Sequence, residues 1–89
     1  MLTRAVTLNA MYYVYILETV AAPAKRYVGF TSDLRVRLRD HNTGKNSSTA
    51  ALRPWRLRTY MAFADKKRAL AFETYLKSGS GHAFLNKRL

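Results

Sequence analysis

The sequence predicts an α+β fold, and three stretches predict it. Tyr12 to Leu17 and Arg26 to Thr31 are aromatic and β-branched runs joined by a short Ala/Pro connection, the pattern of an antiparallel hairpin. Tyr27 to Gly44 (YVGFTSDLRVRLRDHNTG) passes from the second strand straight into a basic helix with its own start and stop signals. Trp55 to Phe63 alternates as a half-buried strand should and leads into a further helical segment.

The chain of 89 residues is one domain. A domain of this size buries only ~60% of the surface its unfolded form exposes, so its core is thin. With 48% hydrophobic and 24% charged residues the composition excludes general disorder. Sixteen Lys and Arg against five Asp and Glu give a net charge of +11, which favours a polyanionic partner, nucleic acid first. A solvated basic surface without a single partner is the plainer alternative. No segment combines a basic face with a broad apolar one, which argues against a membrane surface. No apolar run approaches the ~20 residues that span a bilayer. The absence of cysteine excludes disulfides and thiolate metal sites and suits a reducing compartment, so the expected location is cytoplasmic.

Residues 1–10 have no periodicity and read as an N-terminal extension to a domain over 11–89. The apolar N-terminal stretch is not read as a signal peptide, because Tyr12 to Leu17 alternates like a strand and Glu18 follows it closely. In that strand Tyr13, Tyr15 and Leu17 share one face and Val14 and Ile16 the other. In the second strand Tyr27, Gly29 and Thr31 oppose Val28 and Phe30. With the aliphatic residues on one apolar face, Tyr15 and Tyr27 project together from the opposite one, beside a glycine that leaves room for a ligand. Two core tyrosines with hydrogen-bonded tips satisfy the same pattern.

Ser32 and Asp33 start the first helix and Gly44 stops it. Leu34, Leu38 and His41 form its core-facing stripe, with Arg37 one turn before His41 on the edge and pointing inward. Arg35 and Arg39 lie on another face, as phosphate contacts or simple solvated charge. His41 alone would read as a histidine satisfied by the backbone; Arg37 beside it favours a function. Gly44 to Pro54 (GKNSSTAALRP) reads as a mobile polar loop carrying Lys45 and Arg53. In the third strand Trp55, Leu57, Thr59, Met61 and Phe63 are expected on one core face, with Arg56, Arg58 and Tyr60 opposite. Asp65 caps a second helix, Lys66 to about Ser78, whose buried stripe is Ala69, Leu70 and Leu76. The Ser78-Gly79-Ser80-Gly81 run breaks it before a final short helix from His82 to Leu89.

Glu73 falls inside the second helix's buried stripe, where a carboxylate is costly unless it is paired or binds a cation. A salt bridge to Arg37 or another base is one way to satisfy it; a metal ion is the other. Asp33 and Asp65 are accounted for as caps and Asp40 points off the apolar stripe, which leaves Glu18 as the sole competitor. Zinc-ligand spacing, a phosphate-binding glycine loop and a paired-carboxylate site are all absent from the sequence.

Tyr13-Val14-Tyr15, Tyr27-Val28-Gly29, Arg37, His41 and Glu73 in ETYLKSGSG, in that order and at that spacing, resemble the GIY-YIG nuclease domain from Met11 to the C-terminus. The likeness is to small single-domain bacterial members. Two departures stand out: Tyr13 replaces the first motif's glycine, and the asparagine some members carry near the end has Asn86 as its nearest counterpart, with its role unassigned.

The resemblance implies a three-stranded antiparallel sheet flanked by helices and hydrolysis of phosphodiester bonds dependent on a divalent metal, Mg²⁺ or Mn²⁺. It carries Tyr15 and Tyr27 over as the motif tyrosines, Arg37 as the helix arginine that binds the phosphate, His41 as a histidine at a position of histidine or tyrosine, and Glu73 as the metal ligand. Tyr15, with help from His41 or Tyr27, would take or relay the proton of the attacking water. The expected DNA contacts are Arg35, Arg39, Lys45, Arg53 and Lys77. The expected function is an endonuclease on DNA, including branched, damaged or single-stranded forms met in repair or recombination. A non-catalytic nucleic-acid-binding module of the same fold is the alternative, and a basic protein with a protein partner a further one. Oligomeric state is not legible.

Overall fold

The computed structural model describes residues 11–89; the expectation of an extension over residues 1–10 lies outside the described residues. In order come β1 (Tyr12–Thr19), β2 (Arg26–Thr31), α1 (Leu34–Thr43), a 3-10 turn (Ala50–Leu52), β3 (Trp55–Phe63), α2 (Lys66–Leu76) and α3 (Gly79–Arg88). The strands form one antiparallel sheet in the order β2-β1-β3. The fold is the expected α+β arrangement of a three-stranded sheet flanked by helices.

The middle strand is buried on both faces from Val14 to Thr19, which is why YYVYIL is apolar throughout. Val14 and Ile16 pack with Ala69, Leu76 and Leu85 of α2 and α3, while Tyr15 and Leu17 pack with Trp55 and, beyond it, Leu34 and Leu38 of α1. Two thin cores thus sit back to back on one strand. Asp33 caps α1 by accepting from the Val36 amide, and Gly44 ends it in the left-handed region at φ 83°. Asp65 caps α2 through the Lys67 amide.

Three features depart from the expected pattern. Ile16 pairs with Thr59 but Leu17 with Leu57, so Arg58 is an extra residue, a β-bulge. A one-residue slip reverses which side every later side chain faces. Trp55 and Leu57 therefore join the Tyr15 cluster, while Phe63 stays with the Val14 cluster. The single core face expected for this strand is two half-faces.

In α2, Leu70 is 38% exposed and Phe72 packs in its place, because the buried stripe runs through Ala69, Phe72 and Leu76 and Leu70 lies about 100° around the helix from Ala69. The final helix starts at Gly79, not His82. Ser78 makes this possible: its hydroxyl accepts from the Gly81 amide and donates to the Tyr75 carbonyl. Gly81 sits so close to the Tyr75 carbonyl that a Cβ there would collide with it.

Glu18 competes with Glu73 no longer. It is buried among Arg56 (2.9 Å), Arg58 (3.1 Å) and Arg26 (4.0 Å), tying both edge strands to the centre. The Arg56 hydrogen bond, with the charges of Arg58, Arg56 and Arg26, holds its carboxyl below the usual carboxylate range. A carboxyl with a depressed folded-state pKa stabilises the fold at pH above its unfolded value, about 4.3, and that contribution is lost as pH falls through the lower, folded value. Thermal melts from pH 7 to 3 should therefore show a fall on acidification that is shallower in Glu18→Gln, whose melting temperature is lower at pH 7.

Candidate active site

Tyr15 of β1 pairs with Gly29 of β2, and its ring crosses beneath that residue so closely that a Cβ at Gly29 would collide with the ring and hydroxyl. The glycine is thus the opening through which the phenol reaches the β2 edge. There the Tyr15 hydroxyl meets His41 Nε2 at 2.8 Å. His41 stands in the last turn of α1, fully buried at 0% exposure. Its other ring nitrogen, Nδ1, meets Thr49 Oγ1 at 2.6 Å. Tyr27 packs edge-on to His41, with ring centroids 5.0 Å apart, and tilts against Tyr15 at 6.4 Å.

Arg37, half-buried one turn before His41, stands beside the Tyr15 hydroxyl. Among the described residues no carboxylate is paired with it. Glu73 of α2 lies near enough for its charge to act on Tyr15. Its side chain is 18% exposed, and Oε2 is bonded to Lys77 at 3.1 Å. The base that satisfies Glu73 is therefore its own helix neighbour, four residues on.

These surroundings set the proton affinities. Burial pushes Tyr15 up to about 12, helped by Tyr27 and Glu73 and countered by the charge and hydrogen bonding of Arg37. Burial lowers His41 below its ordinary value, and the Arg37 charge lowers it further against Asp40. At neutral pH the site holds a protonated tyrosine against a neutral histidine.

The residues expected to contact DNA are spread around this group. Arg35 and Arg39 lie exposed on the outer face of α1. Lys45, 4.0 Å from Asp40, lines a small cleft of about 190 Å³ with Arg37, Asp40 and Asn46. Arg53 folds back over Gly44, and Lys77 is held by Glu73. A larger cavity of about 670 Å³ lies along the β2 edge, between Tyr27 and Val28 on one side and Leu76, Lys77 and Leu85 on the other. Asn86, also on its wall, accepts from Arg26.

Thr49 is the site residue that sequence reasoning misses. It lies in the stretch expected to be a mobile loop, yet it is fully buried. Its amide donates to the Asn46 carbonyl, its own carbonyl accepts from Trp55 Nε1 at 2.9 Å, and Asn42 clasps the Trp55 backbone at both N–H and C=O. The available signal was indirect: a buried imidazole has two ring nitrogens to satisfy, and Tyr15 serves one.

The packing makes a specific expectation. Gly29→Ala forces the Tyr15 ring out of its path, so thermal melts should show a loss of stability of the size typical of overpacking, about 1–3 kcal/mol. An unchanged melting temperature in this variant would contradict the close approach of the Tyr15 ring to Gly29.

Residues 11–87 match the GIY-YIG catalytic domain. A UPF0213 protein of Lacticaseibacillus paracasei is 42% identical over 72 residues, covering 80% of this chain and 79% of its own length. A UPF0213 protein of Streptococcus agalactiae is 36% identical over 74 residues, 82% of each chain. The solution NMR structure of the UPF0213 protein BH0048 from Bacillus halodurans superposes with a TM-score of 0.52 at 32% identity, over 86% of this chain and 83% of that one. With its sheet order, its two tyrosines on adjacent strands and the match spanning nearly every described residue, this chain belongs to the GIY-YIG family, a family of nuclease-type catalytic domains that act on nucleic acid.

Proposed function

We propose that the protein is a divalent-metal-dependent endonuclease that hydrolyses phosphodiester bonds in DNA, with Tyr15, Tyr27, Arg37, His41 and Glu73 as its working residues. The observation that carries this reading is the Tyr15 hydroxyl bonded to His41 with the half-buried Arg37 beside it, paired with no carboxylate among the described residues. A cation in that position without a carboxylate partner is suited to a phosphate. The net charge of +11 supports the same polyanionic substrate.

The donor set fits Mg²⁺ or Mn²⁺. Among the described residues no three His, Cys, Asp or Glu side chains gather, so an all-protein cage is out of the question. Mg²⁺, however, binds through one or two carboxylates together with waters and substrate phosphate, and Glu73 is one such carboxylate. When bound, the ion supplies positive charge at the scissile phosphate and acidifies a water. Glu73 would hold the ion in exchange for its contact with Lys77, whose ammonium would then be free to meet the phosphate chain. Arg37 binds the phosphate oxygens and meets the charge that develops on them.

Tyr15 is too weak an acid, at about 12, to stand as a free phenolate at neutral pH. It works instead as a relay: Oη takes a proton from the attacking water while its own proton passes to His41 Nε2. His41, with its depressed proton affinity, returns that proton readily through Tyr15 when the leaving oxygen departs. Tyr27 walls the pair and excludes bulk water.

The reading extends to branched or damaged DNA as met in repair or recombination, and to the cytoplasm, which a cysteine-free chain suits. Among the described residues no helix is long and apolar enough to cross a membrane. Cleavage of plasmid, single-stranded and branched DNA in Mg²⁺, Mn²⁺ or EDTA tests it. Cutting with either ion and none in EDTA is expected; binding without cutting in every condition would leave the non-catalytic module in its place.

A further inference from the structure

The buried contacts from Tyr15 through His41 to Thr49 have a direction. Arg37, the other neighbour of the Tyr15 hydroxyl, can only donate, so the phenolic proton goes to His41 Nε2 at 2.8 Å. A neutral imidazole that accepts at Nε2 carries its proton on Nδ1, and Nδ1 faces Thr49 Oγ1 at 2.6 Å. Thr49 must accept there, which sends its own hydroxyl proton to the Asn46 carbonyl oxygen at 3.4 Å. Every buried side-chain polar atom among the described residues finds a partner, and the Asn46 carbonyl supplies the acceptor that this direction requires at its end.

We propose that Thr49 is a positioning residue: by accepting from Nδ1 it locks His41 in the tautomer whose Nε2 receives the proton of Tyr15. The hydroxyl is built to stay where it is. Thr49 is fully buried, its amide donates to the Asn46 carbonyl at 3.2 Å and its carbonyl accepts from Trp55 Nε1. Trp55 faces this side of the sheet because of the bulge at Arg58. The consequence for chemistry is that the Tyr15 proton points inward and a lone pair on Oη is left facing the substrate side. In the opposite tautomer Nε2 would donate to Tyr15, and the relay would have no acceptor.

The purpose of the lock rests on the nuclease reading, but the lock itself can be measured without substrate. The chain has two histidines, so a long-range ¹H–¹⁵N spectrum of the ¹⁵N-histidine-labelled protein holds two imidazole patterns, and His82→Gln removes one of them. His41 is expected to show a protonated Nδ1 and a bare Nε2. Thr49→Val, nearly the same shape without the hydroxyl, should convert it to the Nε2–H tautomer and lower the cleavage rate about 10²-fold, with DNA affinity retained. Thr49→Ser should restore both the tautomer and most of the rate. A protonated Nε2 in the native protein would overturn the proposal, even if Thr49→Val fails to fold. So would Thr49→Val keeping both the Nδ1–H pattern and the rate. If the native protein shows the expected tautomer and loses it in Thr49→Val, yet cuts no DNA, the Thr49 assignment stands and the nuclease reading falls.

Discussion

Arg37→Ala should lower the rate of DNA cleavage by about 10²–10³-fold, the usual cost of removing one preorganised partner of transition-state charge. The effect belongs to position and not to charge alone. Arg35 and Arg39 stand on the same helix within two residues of Arg37, but both are exposed, whereas Arg37 is half-buried beside Tyr15 and lacks a carboxylate partner among the described residues. Arg35→Ala removes one phosphate contact from an outer face, so it should weaken binding and flatten its salt dependence while leaving the rate at saturating DNA nearly unchanged. The Arg37 change has a second, internal signature. Its charge is one of the causes that hold His41 below the ordinary histidine value, so the His41 pKa should rise in Arg37→Ala, as an NMR titration would read. Equal losses of rate in Arg35→Ala and Arg37→Ala would contradict the division of α1 into an inner and an outer face.

Tyr15→Phe should be as damaging, lowering the rate about 10²–10⁴-fold, the range ascribed to a positioned acid or base. The ring stays, so the path beneath Gly29 and the packing against Leu17 and Trp55 are preserved. What disappears is the hydroxyl that touches His41 and, on the proposed mechanism, takes the proton of the water. His41 Nε2 is then buried without a partner, which costs about 1–3 kcal/mol of stability. DNA affinity should survive, because the loss is of proton transfer and not of positive surface. A Tyr15→Phe protein that folds, binds and cuts at the native rate would remove Tyr15 from the mechanism.

Much of this site was legible in the sequence because local rules govern it. The caps Asp33 and Asp65 and the stop at Gly44 stand where their types demand, and each bounds an element that carries a residue of the proposed site. Strand alternation alone put Tyr15 and Tyr27 on one side, and helical spacing put Arg37 and His41 inward. The failures over β3 and Thr49 depend on partners outside the element itself. The bulge at Arg58 exists because β3 must meet Glu18 of β1 with two arginines while still delivering Trp55 to the α1 side, a demand that alternation within β3 does not record. Thr49 sits in a run of small polar residues whose composition matches any surface loop; what sets it apart is its bond to Nδ1 of a histidine eight residues earlier. Ser78 looked like part of a helix break and is instead the cap that lets α3 begin with glycine. Lys77, expected at DNA, is bonded to the carboxylate one turn before it.

On the proposed function, this side-chain group hydrolyses DNA with an ion held by Glu73. The most direct measurement compares the native protein with Glu73→Ala for cleavage of the best substrate in Mg²⁺ or Mn²⁺, with DNA binding followed in parallel. Glu73→Ala frees Lys77 and removes one negative charge, so binding should be equal or tighter while cleavage is lost. Equal cleavage by the two proteins would contradict the account, because the activity would then arise elsewhere than at this carboxylate.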